Sequence, residues 1–448
     1  MIDKFKALLL DNGVVIEDEL SESQQLAYDA FKNKKSFCII GCGGTGKSHL
    51  IKHCFKTRDP NTTMYITATT GIASFSIGGI TINAFAGIGA NTTSVDYVIR
   101  RLRKDTRQRI IFTDILVIDE ISMMSAEMFE KLDTLFRRVR KKNVLFGGIQ
   151  LILVGDFLQL EPVFSRIRSQ GQSDTKQDTR MLFESELFKE FFVNKKRIFL
   201  LTQNYRQGDG EFADILNRIR FAEHTKSDIA KLKTRILPDT PENAVELVAT
   251  NKRAKQINDF YNNKLKSKPF IFVAKYNSIG FNKDLIKTLE SDLKKQMEQR
   301  EFNEVVLKKG SRVMLVQNLN VLNGLVNGAT GVVVSISQNP IGVQVLFDRT
   351  HTITTIVPGE FKLEMDDHVA SAVQIPLILA YALTIHKSQS LTLDCAVVDI
   401  SEVFCNHQVY VALSRLRNLD TLYLRSFNEH KIKTNKKVID FMKSIKYK

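Results

Sequence analysis

The residues best suited to chemistry form a glycine-rich stretch, Gly41–Ser48, with the sequence GCGGTGKS. An apolar run, Phe37–Ile40, precedes it, and a segment that can be helical, His49–Phe55, follows it. The glycines let successive backbone N–H groups turn inward around phosphate oxygens, and the helix N-terminus adds its positive dipole end. Lys47 supplies a cation for the β- and γ-phosphates, and Ser48 supplies a hydroxyl for Mg²⁺. The stretch therefore predicts a phosphate-binding loop, and an accidental glycine-rich turn would not explain its flanking strand and helix.

A second chemical group lies at the end of the apolar stretch Asp114–Ile118, which delivers two neighbouring carboxylates, Asp119 and Glu120. Such an apolar run is typical of a strand buried on both faces of a parallel sheet. Behind a phosphate loop, Asp119 is expected in the Mg²⁺ shell, and Glu120 is expected to polarise the attacking water. The pair predicts hydrolysis of the bound nucleotide.

Two glutamines are candidates for sensing the nucleotide. Gln159 follows the predicted strand Gln150–Val154, and this position favours a γ-phosphate sensor over a loop amide bonded to the backbone. Gln24 stands three residues after Ser21 at the start of a predicted amphipathic helix, a spacing typical of a capping box. Its amide could equally read the adenine edge with its donor and its acceptor, and the spacing does not decide between these roles.

The elements that must position these groups follow an α/β pattern. Loops at strand ends of a parallel sheet face the ligand side, which is where the phosphate loop and the acidic pair would meet. A second α/β block is predicted to start at Ile198 and to resume at Ile375–Ala382. Between them lie a charged, lysine-rich insertion, Lys264–Glu304, and three short strands that predict a small barrel or sheet. The polar stretch Ser165–Arg180 is predicted to be a surface loop or insertion. The three short strands are Ser311–Val316, Gly331–Ile336 and Gly342–Phe347.

Composition restricts the class of protein. With 448 residues, 43% hydrophobic and 25% charged, the chain is expected to be a soluble protein of two or three domains. It has no apolar run long enough to span a bilayer, and its five cysteines form no CxxC pair. We therefore expect no membrane association and an intracellular, reducing location, in the nucleus or cytoplasm. The net charge of +15 favours a polyanionic partner, although basic solvated surfaces are common.

Several segments could meet a nucleic acid. The glycine-rich Gly78–Gly87 contains Phe85, which could stack on a base, but from the residues alone core packing is the favoured interpretation. The arginine-rich run Val98–Ile110 is typical of a solvated face, and its alternative role is to line a nucleic-acid path.

Six motifs carry a resemblance to a known family. They are Gly43–Ser48, Gly78–Gly89, Phe146–Gln150 (FGGIQ), Gly155–Leu160 (GDFLQL), Thr384–Gln389 (TIHKSQ) and Tyr410–Arg415 (YVALSR). In these the chain resembles the Pif-type DNA helicases, superfamily 1B motors related to RecD, from about Leu20 to Phe427. The segment Phe129–Gln150 looks like the signature region that separates this type from other relatives.

The resemblance implies two RecA-like parallel-sheet domains of the P-loop NTPase fold. The first would span 1–197, with a small basic insertion near 83–110. The second would span 198–448 and hold an inserted accessory domain at about 263–375. The implied activity is an ATP- and Mg²⁺-dependent 5′→3′ DNA helicase of replication, repair and recombination. Its partners would be single-stranded DNA and tailed or forked duplexes, and it would act as a monomer in isolation.

The resemblance also implies residue roles. Gln24 would read adenine, Lys47, Glu120 and Gln159 would serve hydrolysis, and Arg206 and Arg415 would be arginine fingers from the second domain. Ser48 and Asp119 would hold Mg²⁺. The phosphate-binding residues would be Gly43, Gly44, Thr45, Gly46, Lys47 and Ser48, and the DNA contacts Thr70, Thr81, Phe85, Asn251, His386 and Lys387.

The sequence departs from the family pattern at a few positions. Asn83 stands where relatives usually have His, Glu161 replaces Pro, and Ser390-Leu391 replaces Gly-Gln, so a DNA contact and the coupling efficiency are in doubt. The short N-terminal part would fit a compact or viral version. The alternatives are an RNA or RNA–DNA hybrid motor and a nucleotide-gated DNA clamp that does not unwind.

Overall fold

The structure is a computed structural model with two compact units. The phosphate-loop unit comprises Asp18–Gly208 together with Thr434–Lys448, and the second unit is built from Asp209–Lys433. Among the helices in the described part of the chain, none is long and apolar enough to cross a membrane. The described residues are 20–70, 73–74, 80–88, 94–162, 178–208, 210–237, 239, 241, 244–281, 283–299, 301–317, 319–320, 323, 325, 327–365, 368–389 and 391–446.

The phosphate-loop unit is built on a six-stranded parallel sheet with the order β3-β2-β4-β5-β1-β6. Its central strands are almost entirely buried, as expected for a parallel sheet covered on both faces. This order puts the ends of β1, β5 and β4 side by side, so the loops that follow them share one edge. The strands are β1 (Phe37–Gly41), β2 (Met64–Ala68), β3 (Ile80–Thr81), β4 (Ile115–Asp119), β5 (Gln150–Gly155) and β6 (Ile198–Leu201).

The helices of this unit cover the sheet with their apolar sides. Helix α6 (Ala126–Arg140) is amphipathic, because it buries Phe129, Leu132, Phe136 and Val139, which recur at helical spacing. The chain also returns to this unit at its C-terminal end, where Phe441 of α13 stacks on Phe183. The helices are α1 (Glu22–Lys32), α2 (Lys47–Thr57), α3 (Ile82–Ala86), α4 (Val95–Arg101), α5 (Lys104–Phe112), α6 (Ala126–Arg140), α7 (Glu186–Phe188) and α13 (Lys436–Lys446).

The second unit contains a four-stranded parallel sheet with the order β18-β7-β19-β20. Its strands are β7 (Val245–Val248), β18 (Ala382–Thr384), β19 (Ala396–Asp399) and β20 (Leu422–Ser426). The helices of this unit are α8 (Glu211–Arg220), α9 (Lys226–Lys233), α10 (Asn251–Lys264), α11 (Lys283–Gln299) and α12 (Gln408–Leu413).

Antiparallel strands interrupt this sheet in the sequence, as predicted. They form a five-stranded sheet, β14-β13-β12-β11-β17, a three-stranded sheet, β15-β16-β9, and the pair β10-β8. The strands are β8 (Phe270–Val273), β9 (Lys275–Ile279), β10 (Glu304–Leu307), β11 (Arg312–Leu315), β12 (Thr330–Gln338), β13 (Ile341–Phe347), β14 (Ile353–Ile356), β15 (Gly359–Met365), β16 (His368–Gln374) and β17 (Leu377–Leu379).

Three sequence-based assignments need correction. The second α/β block does not begin at Ile198, because β6 pairs in parallel with β1 and completes the first sheet. Likewise α13 belongs to the phosphate-loop unit, although the predicted second domain ran to residue 448. The predicted segment Ile375–Ala382 is split, since β17 pairs antiparallel with β11 while β18 pairs with β7. Most of the predicted loop Ser165–Arg180 lies outside the described residues.

Candidate functional site

The phosphate loop joins β1 to α2, as its sequence predicts. Gly44 and Gly46 adopt left-handed backbone conformations, with φ of 91° and 78°. A Cβ on Gly44 would lie 2.4 Å from the Cβ of Arg206, so a side chain there would have to displace backbone-anchored atoms. Two of the predicted loop glycines are therefore required by backbone geometry and close approach.

Lys47 lies across this loop. Its Nζ donates to the carbonyl oxygens of Gly41 (2.7 Å) and Cys42 (2.9 Å), and the hydroxyl of Thr45 donates to Cys42 as well (2.9 Å). Ser48, in the first turn of α2, is exposed. These contacts hold the ammonium at the mouth of the loop, where phosphate oxygens are the natural replacement for the two carbonyls.

The acidic turn follows β4 at the same edge of the sheet. The carboxylate of Asp119 accepts the N–H of Glu120 at 2.8 Å, and Glu120 itself has a φ of 55°. Thr69 fixes this turn, since its hydroxyl donates to the Glu120 carbonyl at 2.8 Å and its N–H to the Asp119 carbonyl at 3.2 Å. A left-handed non-glycine residue costs about 1–3 kcal/mol and is typical of functional sites. The carboxylate pair is thus positioned by the backbone.

The two neighbouring carboxylates of this turn, Asp119 and Glu120, favour the binding of a cation beside them. Burial, and then the neighbouring Glu120 carboxylate, raise the pKa of Asp119 above its usual range, whereas its backbone hydrogen bond and the Lys47 ammonium lower it. Added positive charge would keep this carboxyl ionised. Carboxylate and hydroxyl oxygens, such as those of Asp119 and Ser48, are the donor type that Mg²⁺ prefers. The residues present therefore fit Mg²⁺.

Of the two roles that the sequence left open for Gln24, the structure shows the capping box. The capping box is present, with the Gln24 amide oxygen accepting the Ser21 N–H at 2.9 Å. The amide nitrogen of Gln24 donates to the carbonyl of Gly46, in the phosphate loop, at 3.3 Å. Gln24 therefore ties the start of α1 to the loop, and its reading of adenine stays a prediction.

Gln159 is buried in the turn after β5, between the ends of β1 and β4 in sheet order. Its amide nitrogen donates to the carboxylate of Asp156 at 3.3 Å, and its N–H donates to the Asp156 carbonyl. A Cβ on Gly155 would come within 2.9 Å of Ile121, so this turn packs directly on the acidic turn. A movement of the acidic turn could therefore be transmitted to Gln159 through this packing contact.

Arg206 belongs to the phosphate-loop unit, and its predicted origin in the second domain is wrong. It follows β6, and the Tyr205 N–H donates to the Gly44 carbonyl at 2.8 Å. The side chain of Asn204 accepts the Arg206 N–H at 2.9 Å. The segment after β6 is thus fastened to the phosphate loop, because β6 pairs with β1 rather than with the second sheet.

Tyr205 is a residue that the sequence reasoning missed. Its ring is exposed, and a Cβ on Gly46 would lie 3.3 Å from its Cε2 and 2.5 Å from the Gln24 amide nitrogen. The ring and the Gln24 amide therefore flank the same glycine. The sequence signal that could have indicated Tyr205 is its position directly before Arg206, a predicted arginine finger.

Arg415 lies two residues after the end of α12 in the second unit and is only 1% exposed. Its guanidinium donates to the carbonyl of Val411 at 2.8 Å and to the hydroxyl of Ser414 at 2.7 Å. The structure thus shows Arg415 bonded within its own unit, and its role as a finger stays a prediction.

One predicted DNA contact is wrong. Phe85 has no exposed surface, and its ring packs on Tyr65 and Phe136. Arg109, from the arginine-rich run, is also buried and donates two hydrogen bonds to the Phe85 carbonyl. A base cannot stack on a ring without exposed surface, so the residue-based preference for core packing is confirmed. Arg100, Arg101 and Lys104 of the same run are exposed.

Thr70 and Thr81 begin helical turns. The hydroxyl of Thr70 accepts the Ala73 N–H at 3.2 Å, and that of Thr81 caps α3 by accepting the Ala84 N–H at 3.2 Å. Asn83, the first departure, is half-buried in α3. Both predicted contacts therefore also have local structural roles.

The remaining predicted DNA contacts follow strand ends of the second sheet. Asn251 is exposed at the start of α10, directly after β7. His386 and Lys387 follow β18, and burial lowers the pKa of His386. The Lys387 ammonium pairs with Glu301 at 3.3 Å. Of the departures near this segment, Leu391 is half-buried and Ser390 lies outside the described residues.

The signature-like segment Phe129–Gln150 has a structural role, which depends on the hydrogen bonds of Arg140. The Arg140 guanidinium donates to the carbonyls of Gly147 (2.8 Å), Ile110 (2.7 Å) and Thr113 (2.8 Å). Gly147 has a φ of 62°, and its Cβ would lie 2.7 Å from the carbonyl oxygen of Phe136. The segment locks α6 to the start of β5, which carries the Gln159 turn.

Comparisons with known proteins agree with this geometry. The family model described as PIF1-like helicase matches residues 19–228, and the model of the DNA helicase Pif1 2B domain matches residues 302–336. The ATP-dependent DNA helicase PIF1 of Xenopus laevis is 35% identical over 434 residues, which cover 94% of this chain. The chain spans only 64% of the length of that relative.

Solved structures show the same fold over nearly the whole chain. Bacteroides sp. Pif1 in complex with ADP-AlF4 is 26% identical, with a TM-score of 0.79 and coverage of 96% of this chain and 98% of that one. The Pif1 helicase of Candida albicans is 30% identical, with a TM-score of 0.74 and coverage of 95% and 99%. The predicted α/β fold class and the predicted family are therefore confirmed. This chain belongs to the PIF1-like helicase family.

Proposed function

We propose that the chain is an ATP-dependent 5′→3′ DNA helicase that moves on single-stranded DNA and unwinds duplexes. The observation that carries the proposal is the shared edge of one parallel sheet, where the phosphate loop, the Asp119–Glu120 turn and Gln159 follow three adjacent strands. The Xenopus laevis relative is an ATP-dependent DNA helicase, which supports DNA as the substrate over RNA or a hybrid.

The residues at this edge of the sheet have different roles in binding and hydrolysing ATP. Lys47 exchanges its two loop carbonyls for the β- and γ-phosphates. Glu120, whose backbone is held by Thr69, orients and polarises the attacking water. Gln159 reports the γ-phosphate to the Asp156 turn. Tyr205 offers an aromatic face for the adenine beside Gln24.

Mg²⁺ held by Ser48 and Asp119 would neutralise developing phosphate charge. The arginine fingers would be Arg206 and Arg415, each stabilising the transition state as charge builds on the transferred phosphoryl group. Because they belong to different units, we propose that hydrolysis is tied to relative movement of the units, and that this movement advances the DNA.

ATP hydrolysis measured with and without single-stranded DNA tests the enzyme. We expect DNA to stimulate phosphate release, and we expect Lys47→Ala to lower it by at least about 100-fold, since an essential charge stabiliser is lost. DNA affinity of this variant should stay near that of the wild type. The matched control is Lys52→Ala, an exposed lysine on the same helix, α2.

Strand separation is measured with duplexes that carry a single-stranded tail at one end. We expect unwinding with 5′ tails only, so unwinding from 3′ tails alone would contradict the polarity. Hydrolysis and DNA binding without strand separation would instead identify a nucleotide-gated clamp. A stronger response to RNA tails than to DNA tails would identify an RNA motor.

A further inference from the structure

A stack of aromatic rings lies on the surface of the second unit, away from the residues assigned above. Tyr261 of α10 stacks on Tyr381, with ring centroids 5.3 Å apart and planes at 16°. Phe260 meets Tyr261 edge-on at 5.3 Å. Phe260 is 55% exposed and Tyr261 is 41% exposed. Phe260 and Tyr261 therefore present apolar ring surface to water, with their planes nearly perpendicular.

Cations surround this surface. The Lys264 ammonium lies 4.1 Å from the centre of the Phe260 ring and 5.6 Å from that of Tyr261. Arg253, Phe260 and Lys264 are seven and four residues apart, so they share one stripe of α10. Within residues 251–268 Asp259 is the exposed acid, against six exposed cations, Lys252, Arg253, Lys255, Lys264, Lys266 and Lys268. The surface is therefore complementary to a polyanion.

Two further lysines lie beside the end of α10. The Lys308 ammonium donates to the Leu265 carbonyl at 3.0 Å, and the Ser267 hydroxyl donates to the Lys309 carbonyl at 2.7 Å. Lys309 is exposed. The positive charge thus continues beyond the rings along the chain that follows α10.

The platform is held firmly on the parallel sheet. The Asn258 side chain both donates to the Ala382 carbonyl and accepts the Ala382 N–H, each at 2.9 Å. Behind it, Ala254 and Ile257 pack with Val248 and Ala382. The exposed rings are therefore preorganised, and little conformational freedom would be lost on binding.

The platform lies at the opposite edge of the sheet from the predicted DNA contacts. Tyr381 precedes β18, whereas His386 follows it. Phe260 is nine residues from Asn251 along α10, or about 14 Å at 1.5 Å per residue. A nucleic acid bound here would occupy a place distinct from Asn251, His386 and Lys387.

We propose that this platform, Phe260, Tyr261 and Lys264 with the flanking lysines, is a second contact for single-stranded nucleic acid. Unpaired bases stack on the rings, and the ammonium groups pair with the phosphates on either side. Both interactions tolerate any sequence, as a motor requires. The inference rests on the proposed DNA-dependent function and adds a binding surface to it.

The test is the affinity of the full chain for a long single-stranded oligonucleotide, measured by fluorescence anisotropy. Phe260→Ala combined with Lys264→Gln should weaken binding by roughly 5- to 140-fold, which corresponds to the loss of one stacked base. The matched control is Phe281→Ala, because Phe281 is 79% exposed and is absent from the platform. An unchanged melting temperature would show that each variant is folded.

A second measurement locates the contact directly. An oligonucleotide carrying 5-iodouracil should crosslink to the peptide that contains Phe260 and Tyr261, and the double variant should lose this crosslink. Unchanged affinity together with crosslinks elsewhere would overturn the proposal, as expected if the platform docks a protein instead. Failure of the wild type to bind single-stranded DNA or to hydrolyse ATP in its presence would overturn the proposed function itself.

Discussion

The two units hold the cations predicted to meet nucleotide or DNA in different ways. In the phosphate-loop unit, half-buried Lys47 bonds to two carbonyls of its own loop. In the second unit, Arg415 is almost fully buried and bonds to Val411 and Ser414, while Lys387 pairs with Glu301. Lys47 needs only an exchange of oxygen partners to meet a phosphate. We infer that the second unit must first release its cations from internal bonds.

The largest effect is expected from replacing the two predicted arginine fingers, Arg206 and Arg415. Arg206→Ala and Arg415→Ala should each lower DNA-stimulated hydrolysis by about 10³- to 10⁵-fold, the range for arginine fingers in phosphoryl transfer. The expected difference lies in stability. Arg415→Ala should lower the melting temperature more than Arg206→Ala, because Arg415 is almost fully buried and loses its hydrogen bonds to Val411 and Ser414, whereas Arg206 is half-buried.

The measurements are steady-state phosphate release and thermal unfolding of the same preparations. Arg417→Ala, an exposed arginine two residues from Arg415, is the control for surface charge. Normal hydrolysis by Arg415→Ala with a lowered melting temperature would assign Arg415 a structural role alone.

A smaller effect is expected on stability when glycines of the phosphate-loop unit that have no role in catalysis are replaced. Gly147→Ala should lower the free energy of unfolding by more than Gly148→Ala. Both glycines have positive φ, but only the Gly147 methyl would meet Phe136 at 2.7 Å, whereas the atoms nearest a Gly148 methyl are at 3.6 Å. The strain of positive φ alone is about 1–2 kcal/mol, and the clash adds to it for Gly147. Chemical denaturation measures the free energy of unfolding of both variants. Equal losses of stability would contradict the close packing of Gly147 against Phe136.

The smallest expected effect is the pH dependence of the second unit. The Arg218 guanidinium and the N-cap hydrogen bonds lower the pKa of Asp228 to about 2. Its ion pair therefore stabilises the folded chain above the ordinary carboxyl pKa and loses this effect as pH falls towards 2. Asp228→Asn should reduce stability at pH 7 and have less effect near pH 2.5. Denaturation of both proteins at the two pH values measures this difference, and an effect that does not depend on pH would contradict it.

Local patterns in the sequence determined most of the nucleotide site. The phosphate loop, the apolar strand that ends in Asp119 and the periodic helix α6 each arise from interactions among nearby residues. Such signals can be read without knowledge of the rest of the chain, because backbone propensity and burial pattern have a short period. The capping box of Gln24 belongs to the same class.

Contacts between segments that are distant in the sequence depend on the whole fold. The partner of β6 is β1, some 160 residues away, and this pairing moves Arg206 into the phosphate-loop unit. Burial of Phe85 depends on Tyr65, Phe136 and Arg109, which the sequence does not identify as its neighbours. Strand partners and burial are set by the total apolar surface removed from water, which is a property of the whole fold rather than of any one motif.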